Sequence, residues 1–185
     1  VEHLNTAPMA SLDLHFTRRL DDIPRDHTVL MDSPHHITFI DNSQLWPGYE
    51  HTFLNVVASD TYGLRALSTE RAIRLLIDEV REYVPFGHHD VDLSRTFLQT
   101  NTGDQLMVHD VGSWQFRPST RCGLPNVLLA GDFTRTFIDV VSVEGAVVSG
   151  LEAAEAARQR AGVGDPVAIL RPARYPLALL QAWKW

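Results

Sequence analysis

The chain has 185 residues, of which 44% are hydrophobic and 21% are charged, so it is expected to fold around a core. Its formal net charge of -7, with 16 Lys and Arg residues and no basic run, argues against a nucleic-acid-binding protein. A single cysteine, Cys122, excludes an internal disulfide and a cysteine-based metal cluster, and it suits a reducing, cytoplasmic compartment.

The first part of the chain predicts an antiparallel or mixed sheet. Apolar and polar residues alternate along 9–20, as they do in a half-buried strand. Further strands are expected within 29–32, 35–40 and 51–59. The connections between these segments are too short for the crossovers of a parallel sheet, so we expect antiparallel pairing.

The segment 68–84 predicts the first long helix. Its apolar residues recur at the i, i+3, i+4 and i+7 spacing of one helix face: Ile73, Leu76, Ile77 and Val80. Ser68 is a suitable N-cap, and Pro85 and Gly87 end the segment. A short strand is expected after this helix at 95–99, and 105–111 is expected to form either another strand or a loop.

The segment 126–157, NVLLAGDFTRTFIDVVSVEGAVVSGLEAAEAA, is the part of the chain most typical of a ligand site. Its apolar run 127–130 predicts a strand that is buried on both faces. Gly131 and Asp132 follow, at the strand end where open α/β sheets bind ligands. The alanine-rich remainder predicts a helix that starts near Ser142 and ends near Gly162.

Two features of this segment suit a nucleotide or a flavin. Asp132 is placed to accept hydrogen bonds from sugar or ribityl hydroxyls. The helix start at Val143 and Glu144 leaves backbone amides unpaired and partly positive, while Gly145 and Ala146 allow a ligand to lie against the backbone. The same strand, turn and helix also occur without a ligand, so a non-catalytic α/β binding or interaction module is the alternative from this pattern.

The segment resembles the C-terminal flavin-binding segment of the flavin-containing amine oxidoreductase superfamily, which includes monoamine oxidases, protoporphyrinogen oxidase and phytoene and carotene desaturases. The shared pattern is Asn, an apolar run, Ala-Gly-Asp, a loop, then Glu-Gly-Ala and a small-residue helix. It is present at Asn126, Ala130, Gly131, Asp132, Glu144, Gly145, Ala146, Ser149 and Gly150. The desaturase-like branch looks most similar, from the Gly-Asp-Phe start, the VEGAVVSG run and the upstream stretches QTNTGDQL and GSWQFRP.

This sequence departs from the superfamily pattern at two places. Many relatives have a proline in the loop before the glutamate, where this chain has Ile-Asp-Val-Val at 138–141. The GxGxxG fingerprint that carries the ADP half of FAD is absent. By the resemblance, this chain would therefore be the C-terminal portion of a longer enzyme and inactive alone.

The resemblance implies FAD as the cofactor and hydride transfer from an apolar, isoprenoid substrate, with an amine as the second choice. Asp132 would bind the ribityl–pyrophosphate region, Gly131 would form the turn beside it, and Val143, Glu144, Gly145 and Ala146 would lie against the flavin. Phe133 and Phe137 would line the substrate cavity. No catalytic side chain is assigned, because the flavin ring performs the redox chemistry.

The implied fold class is α/β, with an α+β substrate-domain part. Residues 1–118 would belong to a substrate-binding domain with an antiparallel or mixed sheet and a helix. Residues 119–161 would supply the last strand and closing helix of an FAD-binding, Rossmann-like domain, and 162–185 would form a C-terminal tail.

Histidine spacing and apolar run lengths bear on metal binding and on membrane contact. The adjacent histidine pairs at 35–36 and 88–89 lack the i, i+4 spacing of helical metal sites, so no metal is expected. No apolar run is long enough to span a bilayer. Trp183 and Trp185 suit either a peripheral membrane contact or a packed terminal helix.

Overall fold

The computed structural model describes residues 3–101, 103, 105–138 and 140–171, and it divides the chain into two units. The sheet unit comprises Thr6–Leu106, and the helix unit comprises Val1–Asn5 and Met107–Trp185. Antiparallel sheet and a few helices together confirm the mixed α and β fold class. The domain boundaries expected at 118 and 161 stay predictions.

A five-stranded antiparallel sheet, in the order β3-β4-β5-β2-β6, is the centre of the sheet unit. A second sheet pairs β1 with β7. The strands are β1 (Thr6–Ala7), β2 (Ala10–His15), β3 (Thr28–Val29), β4 (Ile37–Asp41), β5 (Phe53–Ala58), β6 (Phe97–Thr100) and β7 (Leu106–Met107).

The predicted alternation along β2 is confirmed by its burial and by its register. Leu12 lies opposite Val56 of β5 on one side and Leu98 of β6 on the other. Leu12 and Leu14 are fully buried, while the residues between them are half-buried. One face of the sheet therefore forms the core, because successive side chains of a strand point to opposite faces.

The sheet unit also contains the short helix α1 (Asn42–Leu45) and the long helix α2 (Thr69–Arg81). Ser68 caps α2 by accepting a hydrogen bond from the Arg71 amide at 3.4 Å, as predicted. Leu76 and Val80 of α2 are fully buried in the same core cluster as Leu12. Single turns of 3-10 helix occur at Leu64–Ala66 and His88–Asp90.

The helix α3 (Val143–Ala161) is the main element of the helix unit, which also has a 3-10 turn at Ser113–Phe116. The Ser142 side chain caps α3 by accepting from the Gly145 amide. Gly162 ends the helix in the left-handed conformation, with φ of 66°. The start and the end of this helix were both predicted.

The strand predicted at 127–130 is wrong in this structure. Val127 is 38% exposed, Ala130 is exposed, and the segment forms no strand. A strand buried on both faces needs neighbours to pair its backbone groups. In the described ranges two amides of this run donate to backbone carbonyls, Val127 to Leu124 at 3.3 Å within a local turn and Leu129 to Thr120 at 3.0 Å.

The two alternatives for Trp183 and Trp185, a peripheral membrane contact or a packed terminal helix, concern residues outside the described ranges. Among the helices of the described ranges, none has the length and apolar character that a bilayer-spanning helix needs.

Candidate functional site

Gly131 begins a tight turn in the helix unit. Its φ of 147° lies in the region that favours glycine, and a Cβ here would lie 2.4 Å from the Phe133 ring. Thr134 closes the turn, because its amide and its hydroxyl both donate to the Gly131 carbonyl, at 3.1 and 2.8 Å. The turn is therefore specified by glycine at its start and threonine at its end.

The buried side chain of Arg117 holds the same turn from the other side. Its Nη2 donates to the carbonyls of Asp132 at 2.6 Å and Thr134 at 2.7 Å, and its Nε donates to the Phe133 carbonyl at 3.3 Å. The guanidinium also lies over the Trp114 ring, 5.0 Å from its centroid. Arg117 is only 2% exposed, so it acts as an internal brace of the backbone that carries Asp132.

Ser149 connects this turn to α3. Its hydroxyl oxygen accepts a hydrogen bond from the Gly131 amide at 2.7 Å, and its side chain is fully buried. Ser149 lies about 9 Å along the helix from Val143, at a rise of about 1.5 Å per residue. The Gly131 turn is thus fixed beside the first two turns of α3.

The N-terminal turn of α3 is shaped by Gly145. A Cβ at this buried position would lie 2.9 Å from the Val140 carbonyl oxygen, so only glycine allows the preceding loop to cross so closely. The amide of Val141, just before the helix, donates to His109 Nε2 at 2.7 Å. These contacts define the path of the loop that leads into α3.

Val143 and Glu144 are the exposed residues of this turn, and Val143 is 77% exposed. Their amides have no hydrogen-bond partner within the described part of the chain. The first amides of a helix carry partial positive charge and attract anionic or electron-rich groups. Ala146, which is half-buried, adds little side-chain bulk beside them.

Asp132 is half-buried, and its carboxylate makes no hydrogen bond with the residues that the structure describes. Because Arg117 holds the carbonyl of Asp132, the backbone is fixed while the carboxylate remains available as an acceptor. A carboxylate in this state suits a ligand with hydroxyl groups.

Phe133 and Phe137, the predicted cavity residues, are both half-buried. The ring of Phe133 lies against Gly131, and the Arg171 guanidinium lies 4.7 Å from the Phe137 ring centroid. Their role as substrate contacts stays a prediction.

The sequence did not indicate the roles of Arg117 and Ser149. Arg117 lies 15 to 17 residues before the carbonyls it binds, and no local spacing reports such a contact. Ser149 appeared in the small-residue pattern of the helix, where only its hydroxyl distinguishes it from the alanines. In the sequence, a hydroxyl among alanines and glycines is the feature that could have indicated the hydrogen bond to Gly131.

The arrangement fits a cofactor with a hydroxyl-bearing chain and an electron-rich end. Asp132 offers a hydrogen-bond acceptor, and the start of α3 offers partly positive amides. Gly145, which has no side chain, allows the preceding loop to pass close to the start of the helix. Within the described ranges there is no group of three His, Cys, Asp or Glu residues placed to hold a metal. The Asp132 carboxylate and the first amides of α3 fit FAD, whose ring supplies its own redox chemistry.

Comparison with known families gives a match over most of the chain. The family model for flavin containing amine oxidoreductases matches residues 2–158, which include all the predicted cofactor-binding positions. The comparison with curated proteins gave no match. The cofactor of this family is a flavin, which confirms FAD as the cofactor expected for this chain. The chain therefore belongs to the flavin-containing amine oxidoreductases, a family of flavin-dependent oxidoreductases.

Proposed function

We propose that the chain is the flavin-facing, C-terminal portion of an FAD-dependent oxidoreductase that takes a hydride from a C–H bond of an apolar, isoprenoid substrate. The proposal that this chain binds the flavin rests on the hydrogen bond from the Gly131 amide to Ser149 Oγ, because this bond joins the Gly-Asp turn to α3. The isoprenoid part rests on the desaturase-like motifs GDF and VEGAVVSG.

The side chains have binding and positioning roles in this proposal. Asp132 would accept hydrogen bonds from the ribityl hydroxyls of FAD, and the backbone of Val143 to Ala146 would contact its flavin end. Arg117 keeps the Asp132 carbonyl in place, and Phe133 and Phe137 exclude water from the substrate side. FAD, when bound, supplies the two-electron acceptor.

The adenine half of FAD would be held by residues that this sequence does not contain. A phosphate-binding GxGxxG turn is absent from it. Gly162 and Gly164 do not replace that turn, because they come after the end of α3, whereas the glycines of the motif stand at the start of a helix. We therefore propose that these 185 residues alone retain little FAD and have no turnover.

Amine oxidation is the second candidate, and one feature of the sheet unit favours it. Asp13 lies on the sheet face opposite the buried Leu12 and Leu14, where it is half-buried and accepts a hydrogen bond from Asn55 Nδ2 at 2.7 Å. A carboxylate in this setting can pair with a protonated amine, whereas an isoprenoid hydrocarbon has no group that would use it.

The test is purification of the complete gene product and measurement of its flavin absorbance. A protein that stays colourless after FAD is added would overturn the proposal and favour the non-catalytic module. Anaerobic mixing then separates the substrates: bleaching of the flavin by a long polyene supports the isoprenoid, and bleaching by a primary amine alone supports amine oxidation.

A further inference from the structure

A cavity of about 270 Å³ lies within the sheet unit, where β2 and β6 approach the segment that leads into α2. Its residues are all different from those of the Gly131 turn. Six of the ten lining residues are apolar, and Ala10, Leu64, Leu67, Ala72 and Leu98 are among them. These side chains belong to, or pack on, the hydrophobic core of the unit, so the cavity has a preformed wall.

Thr61 is the buried polar residue of the lining. It is only 7% exposed, and its hydroxyl makes no hydrogen bond with any group in the described ranges. A hydroxyl without a protein partner is available to a ligand oxygen, to which it can donate a hydrogen bond. Thr61 therefore indicates where the polar end of a ligand would lie.

Arg65 is the charged residue of the lining, and it is exposed. Its guanidinium makes no ion pair or side-chain hydrogen bond within the part of the chain described. Thr69, the first residue of α2, also lines the cavity, so the partly positive start of that helix is nearby. Glu70, the acidic residue of the same turn, is not part of the lining.

We propose that this cavity is an accessory binding site for a small monocarboxylate with an apolar chain. The chain lies against Leu64, Ala72 and Leu98, and the carboxylate lies between the Arg65 guanidinium and the Thr61 hydroxyl. A cavity of about 270 Å³ lies near the lower end of the range of roughly 300–1,000 Å³ for small-molecule sites, so it suits a small ligand. Hexanoate is of this size. The site does not depend on the function proposed for the Gly131 turn.

The test is calorimetric titration of the complete gene product with hexanoate, hexanol and acetate. Hexanol keeps the chain without the charge, and acetate keeps the charge without the chain. Hexanoate should bind saturably, and about tenfold more tightly than either control. Equal binding of hexanoate and acetate, or no saturation with hexanoate, would overturn the proposal.

Three variants test the assignment of residues. Arg65→Gln should weaken hexanoate binding about tenfold, and Arg71→Gln should not, since Arg71 is an exposed arginine of α2 outside the lining. Thr100→Phe, at an exposed position of β6 that lines the cavity, should block the binding while the far-ultraviolet circular dichroism spectrum stays unchanged. Equal losses in both arginine variants, or undiminished binding to Thr100→Phe, would contradict the site.

Discussion

The Gly131 amide donates a hydrogen bond to the Ser149 hydroxyl oxygen over 2.7 Å, and the two residues are 18 positions apart in the sequence. This bond ties the turn that carries Asp132 to the helix whose first amides would meet the flavin. The site thus depends on the relative placement of a turn and a helix, and each of its supports can be removed separately.

Ser149→Ala should lower the free energy of unfolding by about 1–3 kcal/mol, because the part-buried Gly131 amide loses its acceptor. Urea denaturation measures this loss. Ser119→Ala is the matched control, since its hydroxyl donates to the Arg121 carbonyl at an exposed position and its loss should cost about 0.5 kcal/mol or less. Equal effects in the two variants would show that the Ser149 bond does not support the fold.

Two glycines of α3 should respond to alanine in opposite directions. Gly145→Ala places a Cβ 2.9 Å from the Val140 carbonyl oxygen and should destabilise the protein by about 1–3 kcal/mol. Gly150→Ala meets no atom within 4 Å and should stabilise it by about 0.5–1 kcal/mol, because alanine favours helix. Thermal unfolding measures the stability of both variants. A Gly145→Ala variant that is more stable than the unaltered protein would contradict the close approach of the Val140 carbonyl to the start of α3.

Arg117→Lys should loosen the 131–134 turn. A lysine ammonium lacks the planar fork that reaches the carbonyls of Asp132, Phe133 and Thr134 together. Hydrogen exchange of the Thr134 amide, which donates within the turn, should accelerate by about tenfold or more. Arg121→Lys is the control, since the exposed side chain of Arg121 donates a hydrogen bond to the Gln159 side chain and to no other group in the described residues. An unchanged exchange rate of the Thr134 amide in Arg117→Lys would show that the 131–134 turn does not depend on the Arg117 hydrogen bonds.

Glu79 of α2 links the helix to the turn before β4. Its side chain is 6% exposed and accepts hydrogen bonds from the Ser33 hydroxyl at 2.5 Å, the His35 amide at 2.9 Å and the His35 ring at 2.5 Å. Burial would raise the pKa of Glu79, but these hydrogen bonds outweigh burial, and the pKa is lower than its ordinary value of 4.5.

A lowered pKa in the folded state means that the Glu79 carboxylate stabilises the protein above pH 4.5 and loses that effect as the pH falls below it. Glu79→Gln should therefore cost about 3 kcal/mol at pH 7 and less as the pH falls below 4.5. Denaturation at a series of pH values measures the difference. Asp78→Asn, on the same helix with a side chain 58% exposed, should change stability by about 0.5 kcal/mol or less. A Glu79→Gln penalty that does not vary with pH would contradict the assignment.

Local patterns predicted the local elements of this fold. The alternation in β2, the Ser68 cap of α2 and the ends of α3 at Ser142 and Gly162 each depend on neighbouring residues, and each was predicted. The run 127–130 failed as a strand because its apolar composition says nothing about which backbone groups lie beside it.

Long-range contacts were beyond prediction for the same reason. Glu79 binds residues 44 and 46 positions away, and Arg117 binds carbonyls 15 to 17 positions away. Charged side chains such as these two lie mostly on the solvated surface of proteins, so composition alone does not indicate their burial. The resemblance to the amine oxidoreductases supplied the residues that are predicted to bind the cofactor, and the structure added the side chains that hold those residues in place.

The flavin content of the complete gene product with Asp132→Ala tests the central claim most directly. Asp165→Ala, an exposed acid after α3, is the control for the loss of one negative charge. We expect Asp132→Ala to bind FAD about tenfold more weakly than the unaltered protein, while Asp165→Ala keeps full occupancy. Equal FAD affinity in all three proteins would contradict the assignment of the Gly131–Asp132 turn to the cofactor.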